Sequence, residues 1–568
     1  MSTLADQPRT DEASDSAPDR VPAPPHAPVP ESTPEPAPDP NRWRALGVLA
    51  LAVSLIVIDG TIVNVALPTM MAFVPLTFSE AQWVTTLYSL IFAALLITTG
   101  RLGDRYGRRT TLDVGLALFA AGSLLAGLAD GAGVLITARA LQGVGGAFVL
   151  PSTLSTVNAT FRGRERAAAF GVWGATISGA AAVGPLLGGW LTTSFSWRWV
   201  FGINLPLAVL IAVGARLWVP RTGGGPEGRG RGAFDVVGLV LSCLGMGGVV
   251  FGLIEGRSLG WWQSLHSGWA HDWPVSPAAV GLVVGALATA GFLADEVRRR
   301  RSGADVLLDM SLFRLSSFSW GNLAALVVAM GEFGLLFVLP LYLQNVRGLS
   351  AIGAGWVLAA MAAGAFLSGG AAGPFARATT PATVATTGLV LETAGVAGLA
   401  LLLEPDGGLW RVLVPLVVYG VGLGMASAQL TGTILVDVPT EQSGQGSATQ
   451  STVRQLGSAL GTAVIATVLA GSVASAAAGA LTAASDAGLP SAVSSGLEQS
   501  LAPSAGAIIT QLRAGSGEAA GVPEPARAVA AEALGEAFTD GARTPLWLGA
   551  GCLALGAVAT TRLPRRRP

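Results

Sequence analysis

The sequence predicts an all-α polytopic membrane protein, and three observations carry that prediction. Only 12% of the 568 residues are charged and 51% are hydrophobic, where a soluble globular chain carries roughly 25% charged residues. The apolar residues gather in runs of about 18 or more, long enough to cross a ~30 Å hydrocarbon core. Isolated carboxylates and arginines sit inside those runs, at depths where lone charges are costly. Lipid cannot satisfy an unpaired strand edge, so open sheets are excluded. The folding problem is helix against helix.

Taken in order, residues 1–41 are rich in Pro, Ala, Ser, Asp and Glu and lack the charged-then-apolar pattern of a signal peptide. They read as a disordered tail. Apolar spans follow at about 46–67, 83–100, 111–129, 133–155, 168–191 and 199–219, then 235–254 and 278–295. The rest lie at about 318–341, 352–374, 382–403, 411–436, 447–472 and 545–561. That makes 14 spans, the weakest being 447–472, which opens on Ser, Thr, Gln and Arg454. Counting arginines in alternate loops tests the orientation. With the N-terminus inside, 23 of those near the spans fall on the inner side and 7 on the outer, which puts both ends in the cytoplasm. The outer loop 255–277 holds Trp261, Trp262, Trp269 and Trp273 beside His266, His271 and Asp272. It suits headgroup anchoring better than metal binding. The outer stretch 473–543 is rich in Ala, Gly and Ser, with helical periodicity around Ala526–Phe538.

Composition also excludes chemistries. All 34 basic residues are Arg. A phosphate-binding Walker loop needs a Lys, as does a Schiff-base enzyme, so an ion gradient or a partner must power any active transport. Cys243 and Cys552 both lie in apolar runs, against a disulfide framework. The net charge of −1 averages over two compartments and identifies no partner. No metal, cofactor or nucleic acid is expected. No nucleophile–base pair is evident, so an enzyme is disfavoured.

The chain is organised around Ile58-Asp59-Gly60-Thr61-Ile62-Val63-Asn64-Val65-Ala66-Leu67-Pro68. An ionised Asp at mid-membrane costs at least ~2.5–3.5 kcal/mol on insertion scales, and chains tolerate it where the group faces a bundle interior. Thr61 and Asn64 share one helical face. The cluster is either a polar wall of a transport pathway or glue between helices. Gly100-Arg101-Leu102-Gly103-Asp104-Arg105-Tyr106-Gly107-Arg108-Arg109 joins spans two and three. Its glycines allow a tight turn, and Asp104 can sit against a helix N-terminus or an arginine. In span four, Arg139, Gln142 and Gly146 share a face, while Gly143 and Ala147 form a small-residue contact. A lone intramembrane Arg needs a partner, and Asp59 is the obvious one; the alternative is snorkelling to a headgroup. Gly184-Pro185-Leu186-Leu187-Gly188-Gly189 supplies a kink and a smooth packing ridge in span five. Glu332 and Glu392 lie mid-span in the second half, and each is either a substrate contact or a neutral group bonded to a neighbouring helix. Glu332 is favoured as the substrate contact, because Gly331 and Gly334 thin the helix around it and leave room for a ligand.

These stretches resemble signature motifs of the major facilitator superfamily, in its fourteen-span drug:proton antiporter branch, the EmrB/QacA-like exporters. The span-two/three loop is similar to the family's G-x-L-a-D-R-x-G-R motif, with Gly100, Asp104, Arg105, Gly107 and Arg108 as gating residues. Span four is similar to R-x-x-Q-G, and span five to the antiporter motif through Gly184, Pro185, Gly188 and Gly189. Span one resembles the branch's D-x-T-I-V-N-V-A-L-P, and Trp197-Arg198-Trp199-Val200-Phe201-Gly202-Ile203-Asn204-Leu205-Pro206 a further branch element. Ala180 stands where the antiporter motif opens with Gly, and the second-half loop copy, Gly373-Pro374-Phe375-Ala376-Arg377, is eroded.

The resemblance implies a major facilitator fold: two six-helix bundles plus two extra central helices, with alternating access. The expected divisions are a 1–41 cytoplasmic tail, a first bundle at 42–219, an inserted helix pair at 220–297 and a cytoplasmic linker at 298–317. A second bundle at 318–561 includes the 473–543 loop, and 562–568 form a short tail. The expected function is proton-coupled export of drugs or antibiotic-like molecules across a bacterial plasma membrane. Arg-only basic usage fits a GC-rich genome, so a dedicated exporter of one natural product is the alternative. Asp59 and Arg139 are the proton-coupling candidates, and Asn64, Gln142, Glu332 and Glu392 the substrate-binding ones. The expected partners are protons, lipid and a lipophilic small molecule able to carry positive charge. The chain is expected to act as a monomer.

Overall fold

The computed structural model describes residues 39–74, 76–161, 163–221, 235–265, 273–302, 306–439, 442–486, 491–501 and 504–564. The first bundle comprises α1 (Arg42–Phe73), α2 (Phe78–Tyr106), α3 (Arg108–Gly127), α4 (Ala132–Thr160), α5 (Gly163–Ser194) and α6 (Trp199–Trp218, broken at Ile203). The inserted pair is α7 (Val236–Glu255) and α8 (Pro277–Arg301). The second bundle holds α9 (Ser316–Leu341), which ends in a π-turn over Tyr342–Val346, then α10 (Ala351–Ala378), α11 (Pro381–Leu402) and α12 (Trp410–Ile434). It continues through α13 (Ser443–Asp486), two short helices, α14 (Ser491–Leu501) and α15 (Ala507–Ala514), and α16 (Glu524–Thr560). Thirteen helices among the described residues are long and apolar enough to cross a membrane, and α5, with 32 residues, is one more long helix.

Local sequence sets several boundaries. Thr77 and Glu80 form a reciprocal capping box at the start of α2. Ser276 with Pro277, and Thr380 with Pro381, cap α8 and α11 in the order a helix start favours. The α2–α3 connection turns on Gly107 alone, whose φ of +99° a side chain would strain.

The helices pack as two bundles meeting along two seams. Across one, α5 lies against α10, and across the other α2 lies against α13. The inserted pair is central in sequence but peripheral in space. Its α7 packs on the α2–α13 seam, where Val250 and Ile254 meet Leu90, Ala459 and Ala463. Glu255 ties it there by accepting hydrogen bonds from Trp83 Nε1 (2.7 Å) and Ser79 Oγ (3.1 Å). Only 28% of the spanning window of α7 or α8 is buried, against 72% for α9. The pair therefore offers most of its apolar surface to lipid.

Most of the described part of 473–543, read from sequence as a loop, is helical. At ~1.5 Å per residue, the 44 residues of α13 run about 66 Å, twice the span of a bilayer core. Alanine, the strongest helix former, dominates that extension. Ile508, Ile509 and Leu512 of α15 are buried, and α15 packs on α16, on α14 and on the π-turn. The cap docks on the π-turn, where Asn345 Nδ2 donates to Ala505 O (2.9 Å) and Arg513 Nη1 to Val346 O (2.6 Å). His266, Trp269, His271 and Asp272 lie outside the described residues.

Candidate functional site

Asp59 sits midway along α1 and is fully buried. Three donors from two helices converge on its carboxylate. Arg139 Nη1 approaches Oδ2 at 2.5 Å, while Gln142 Nε2 and Asn204 Nδ2 both reach Oδ1, at 2.9 and 2.8 Å. Arg139 and Gln142 fall three apart on α4, so one face delivers both. Ser123 Oγ of α3 accepts from the same two amides, at 2.8 and 3.2 Å.

Arg139 is 1% exposed, so its charge must be met from within the protein. Its Nε donates to the Val84 carbonyl (3.0 Å), its Nη1 also to Gln142 Oε1 (2.8 Å), and its guanidinium lies 4.3 Å from the centroid of the Tyr88 ring. The charge is thus balanced by a carboxylate, two carbonyl-type acceptors and an aromatic face. Every partner comes from the first bundle.

The sequence-predicted residues divide. Asp59, Arg139 and Gln142 form one cluster, so Gln142 faces the carboxylate rather than a substrate space. Asn64 lines a small void of about 10 Å³ between the bundles, together with Tyr88, Ser89, Phe333, Ser458 and Thr462. Its Nδ2 donates to Gly60 O at 3.3 Å. A drug-sized ligand occupies ~300–1,000 Å³, so entry beside Asn64 needs the bundles to part. Asn204, Ser123 and Tyr88 are site residues that sequence reasoning did not single out. Asn204 falls within the Trp197–Pro206 stretch, but nothing in that stretch ties it to Asp59.

In the second bundle, Glu332 accepts from Arg454 Nη2 at 3.3 Å, with side chains 11% and 39% exposed. The glycines beside Glu332 suggest room for a ligand when read from sequence. The structure fills that room: a Cβ on Gly331 would lie 2.9 Å from Leu553 Cγ, and one on Gly334 would press into Ile465. They are packing contacts with α16 and α13. Glu392 is fully buried one layer away.

The span-two/three loop ties helix ends at the arginine-rich end of the bundle. Arg108 Nη1 donates to Ser155 O of α4 (2.9 Å), Arg109 Nη2 to Arg216 O of α6 (2.9 Å), and Arg101 to the Val306 carbonyl in the segment before α9. Arg105 lies 5.7 Å from the Tyr106 ring centroid, and a Cβ on Gly100 would meet Pro151 at 3.6 Å. The side chain of Asp104 lies outside the described residues.

The span-five motif closes the opposite end. Gly188 lets α5 approach the Ile62 carbonyl, where a Cβ would sit at 2.8 Å, and Gly184 packs against Thr61. Pro185 bends the helix between them, and its carbonyl meets Gly355 of α10. On the other flank Gly189 abuts Ala351 and Ile352, at 2.5 and 2.8 Å from an added Cβ. Ile352 N also donates to Thr193 Oγ1 (3.1 Å), and Gln344 Nε2 to Val65 O (2.9 Å). The two bundles are locked together at this end.

With this geometry in hand, comparison with known proteins is direct. The family profile described as Major Facilitator Superfamily matches residues 49–462. The probable actinorhodin transporter of Streptomyces coelicolor is 36% identical over 445 residues, 76% of this chain and 73% of that protein. The multidrug efflux pump LfrA of Mycolicibacterium smegmatis is 35% identical over 434 residues, 76% of this chain and 81% of that one. Among solved structures, a bacterial homolog of the human lysosomal transporter Spinster superposes with a TM-score of 0.59 at 16% identity, covering 92% of this chain and 97% of that chain. That likeness shows the fold alone.

Proposed function

This chain belongs to the Major Facilitator Superfamily, and from that premise we propose that it is a proton-coupled antiporter exporting lipophilic, antibiotic-like small molecules from a bacterial cell. The relatives named for antibiotic transport and drug efflux support the substrate class. Arginine asymmetry supports an arginine-rich cytoplasmic end, both termini inside a plasma membrane, and an outward end closed in this conformation. One chain carries both bundles, which supports action as a monomer.

One observation carries the coupling: a buried carboxylate, Asp59, held by one guanidinium and two amides beside the void between the bundles. Protonation removes the charge that Arg139 balances, so the proton and the arrangement of donors around it are linked. Bundle movement that admits water to Asp59 from one side and then the other converts that linkage into exchange. An inward proton releases ~2.3 kcal/mol per 100 mV and ~1.36 kcal/mol per pH unit. A combined ~3.5 kcal/mol sustains a roughly 300-fold substrate gradient at ~1.4 kcal/mol per decade. Asn64 and Glu332 are the proposed substrate contacts, one from each bundle.

Inverted membrane vesicles test the reading. An acid-inside gradient should drive uptake of a fluorescent lipophilic cation, and a protonophore should abolish it. Uptake that ignores the gradient and the protonophore would end the antiport reading. A dedicated exporter would pass this test with one compound and fail it with a chemically diverse panel.

A further inference from the structure

Glu392 lies on α11, fully buried, and neither carboxyl oxygen has a hydrogen-bond partner among the described residues. The site is built around it. A Cβ on Gly422 of α12 would lie 2.6 Å from Glu392 N and 2.9 Å from its Cγ, so only glycine permits α11 and α12 to close over this side chain. One turn away, Tyr419 of α12 is 1% exposed, and its hydroxyl also lacks a partner. The charged groups within electrostatic reach are Glu332 of α9 and Arg454 of α13, already paired with each other at 3.3 Å. On α16, which also packs against α11, Cys552 is the one titratable group between Pro545 and Thr560. The one on α10 is Arg377, near that helix's end.

A carboxylate buried without a donor is strongly disfavoured, so in this conformation the group carries a proton. A permanently neutral acid here would add polarity that an apolar side chain avoids. The part-exposed Glu332–Arg454 pair supplies what a working site needs, a route to water and a cation. We propose that Glu392 is a second proton-carrying site of the transport cycle, loading and unloading through Glu332. When bundle movement brings the two carboxyls within hydrogen-bond reach, the proton leaves the Glu392 carboxyl for the Glu332 carboxylate and passes from there to water. That leaves an anion at Glu392, offset by Arg454. Each substrate molecule then exchanges for two protons, one on each bundle. The inference rests on the antiport reading above and adds its stoichiometry.

The test is a zero-flux measurement in proteoliposomes with the membrane potential clamped at zero. With two protons, a tenfold proton gradient should hold a roughly 100-fold substrate gradient, and Glu392→Gln should lower this to about tenfold. Glu392→Asp, which keeps the titrating group, should restore the wild-type ratio. An unchanged ratio in Glu392→Gln, or a wild-type ratio of about tenfold, would overturn the second site while leaving antiport standing. A wild-type protein that builds no gradient at all would instead sink the antiport reading itself. Should Glu392→Gln fail to fold, proton release on substrate binding to the detergent-solubilised wild type decides. Release of two protons, falling to one in Asp59→Asn, supports the proposal, and release of one by the wild type refutes it.

Discussion

Replacing Asp59 separates the two things its cluster does. In Asp59→Asn the volume is kept, but Arg139 loses its carboxylate partner while remaining 1% exposed. Removing one member of a buried ion pair costs about 3–5 kcal/mol, because the remaining charge is left uncompensated. Arg139 keeps the Val84 carbonyl, Gln142 Oε1 and the Tyr88 ring face, and a desolvated cation–π contact offsets ~2 kcal/mol. The substituted amide can keep its oxygen toward Gln142 and Asn204, which both donate to one carboxylate oxygen, but then turns its NH2 toward the Arg139 donor. The expected net loss is about 1–3 kcal/mol of stability, together with loss of gradient-driven export. The double variant Asp59→Asn/Arg139→Gln removes the orphaned charge and should regain most of the stability without regaining transport. Thermal unfolding in detergent reads the first effect, and inverted-vesicle uptake reads the second. Wild-type stability in the single variant would mean that Asp59 does not balance Arg139, and normal gradient-driven uptake would refute the coupling role.

Three further perturbations address other parts of the molecule. Gly189→Val should force α5 away from Ala351 and Ile352, slowing export and raising the labelling of a cysteine placed at Asn64 by an outside reagent; unchanged labelling would mean that this contact does not close the outer end. Glu332→Gln should weaken export of cationic compounds several-fold more than that of neutral ones, and equal losses would remove Glu332 from cation recognition. Glu165, ahead of the apolar run of α5, is held below the usual carboxylate range by its hydrogen bond and ion pair with Arg42. Its contribution to stability is therefore present at neutral pH and lost as pH falls below ~4.3. Arg42→Gln should flatten that acid-side decline in melting temperature, and an undiminished decline would assign it to other carboxylates.

The fold was legible because lipid leaves few solutions and apolar run length selects among them. The pairing of Asp59 with Arg139 was legible for a similar reason, since a lone intramembrane charge requires a partner. Asn204 and Ser123 were not, because neutral polar residues in α6 and α3 give no such signal and are brought to Asp59 only by helix packing. The glycines at 331 and 334 misled for the opposite reason. A missing side chain reads equally as room for a ligand and as room for a neighbour, and only the positions of Leu553 and Ile465 decide between them. The helical cap at α14 and α15 was hidden by small residues, whose periodicity is weak until α13 and α16 extend to bury it.

The placement of the acids constrains how the bundles can communicate. Every member of the cluster around Asp59 and Arg139 belongs to α1, α2, α3, α4 or α6, and the groups around Glu332 and Glu392 belong to α9, α11, α12 and α13. A rigid rotation of one bundle against the other therefore breaks neither cluster. What it must break are the contacts across the seams: Gly189 on Ala351, Gln344 on Val65, Ile352 on Thr193 and Ser458 on Ser89. Those contacts involve no charged side chain, so separating them avoids the cost of uncovering a buried ion pair. On the proposed reading, the acids then bias the equilibrium between two packings through water access, so that protonation in one bundle is felt in the other through that shared equilibrium.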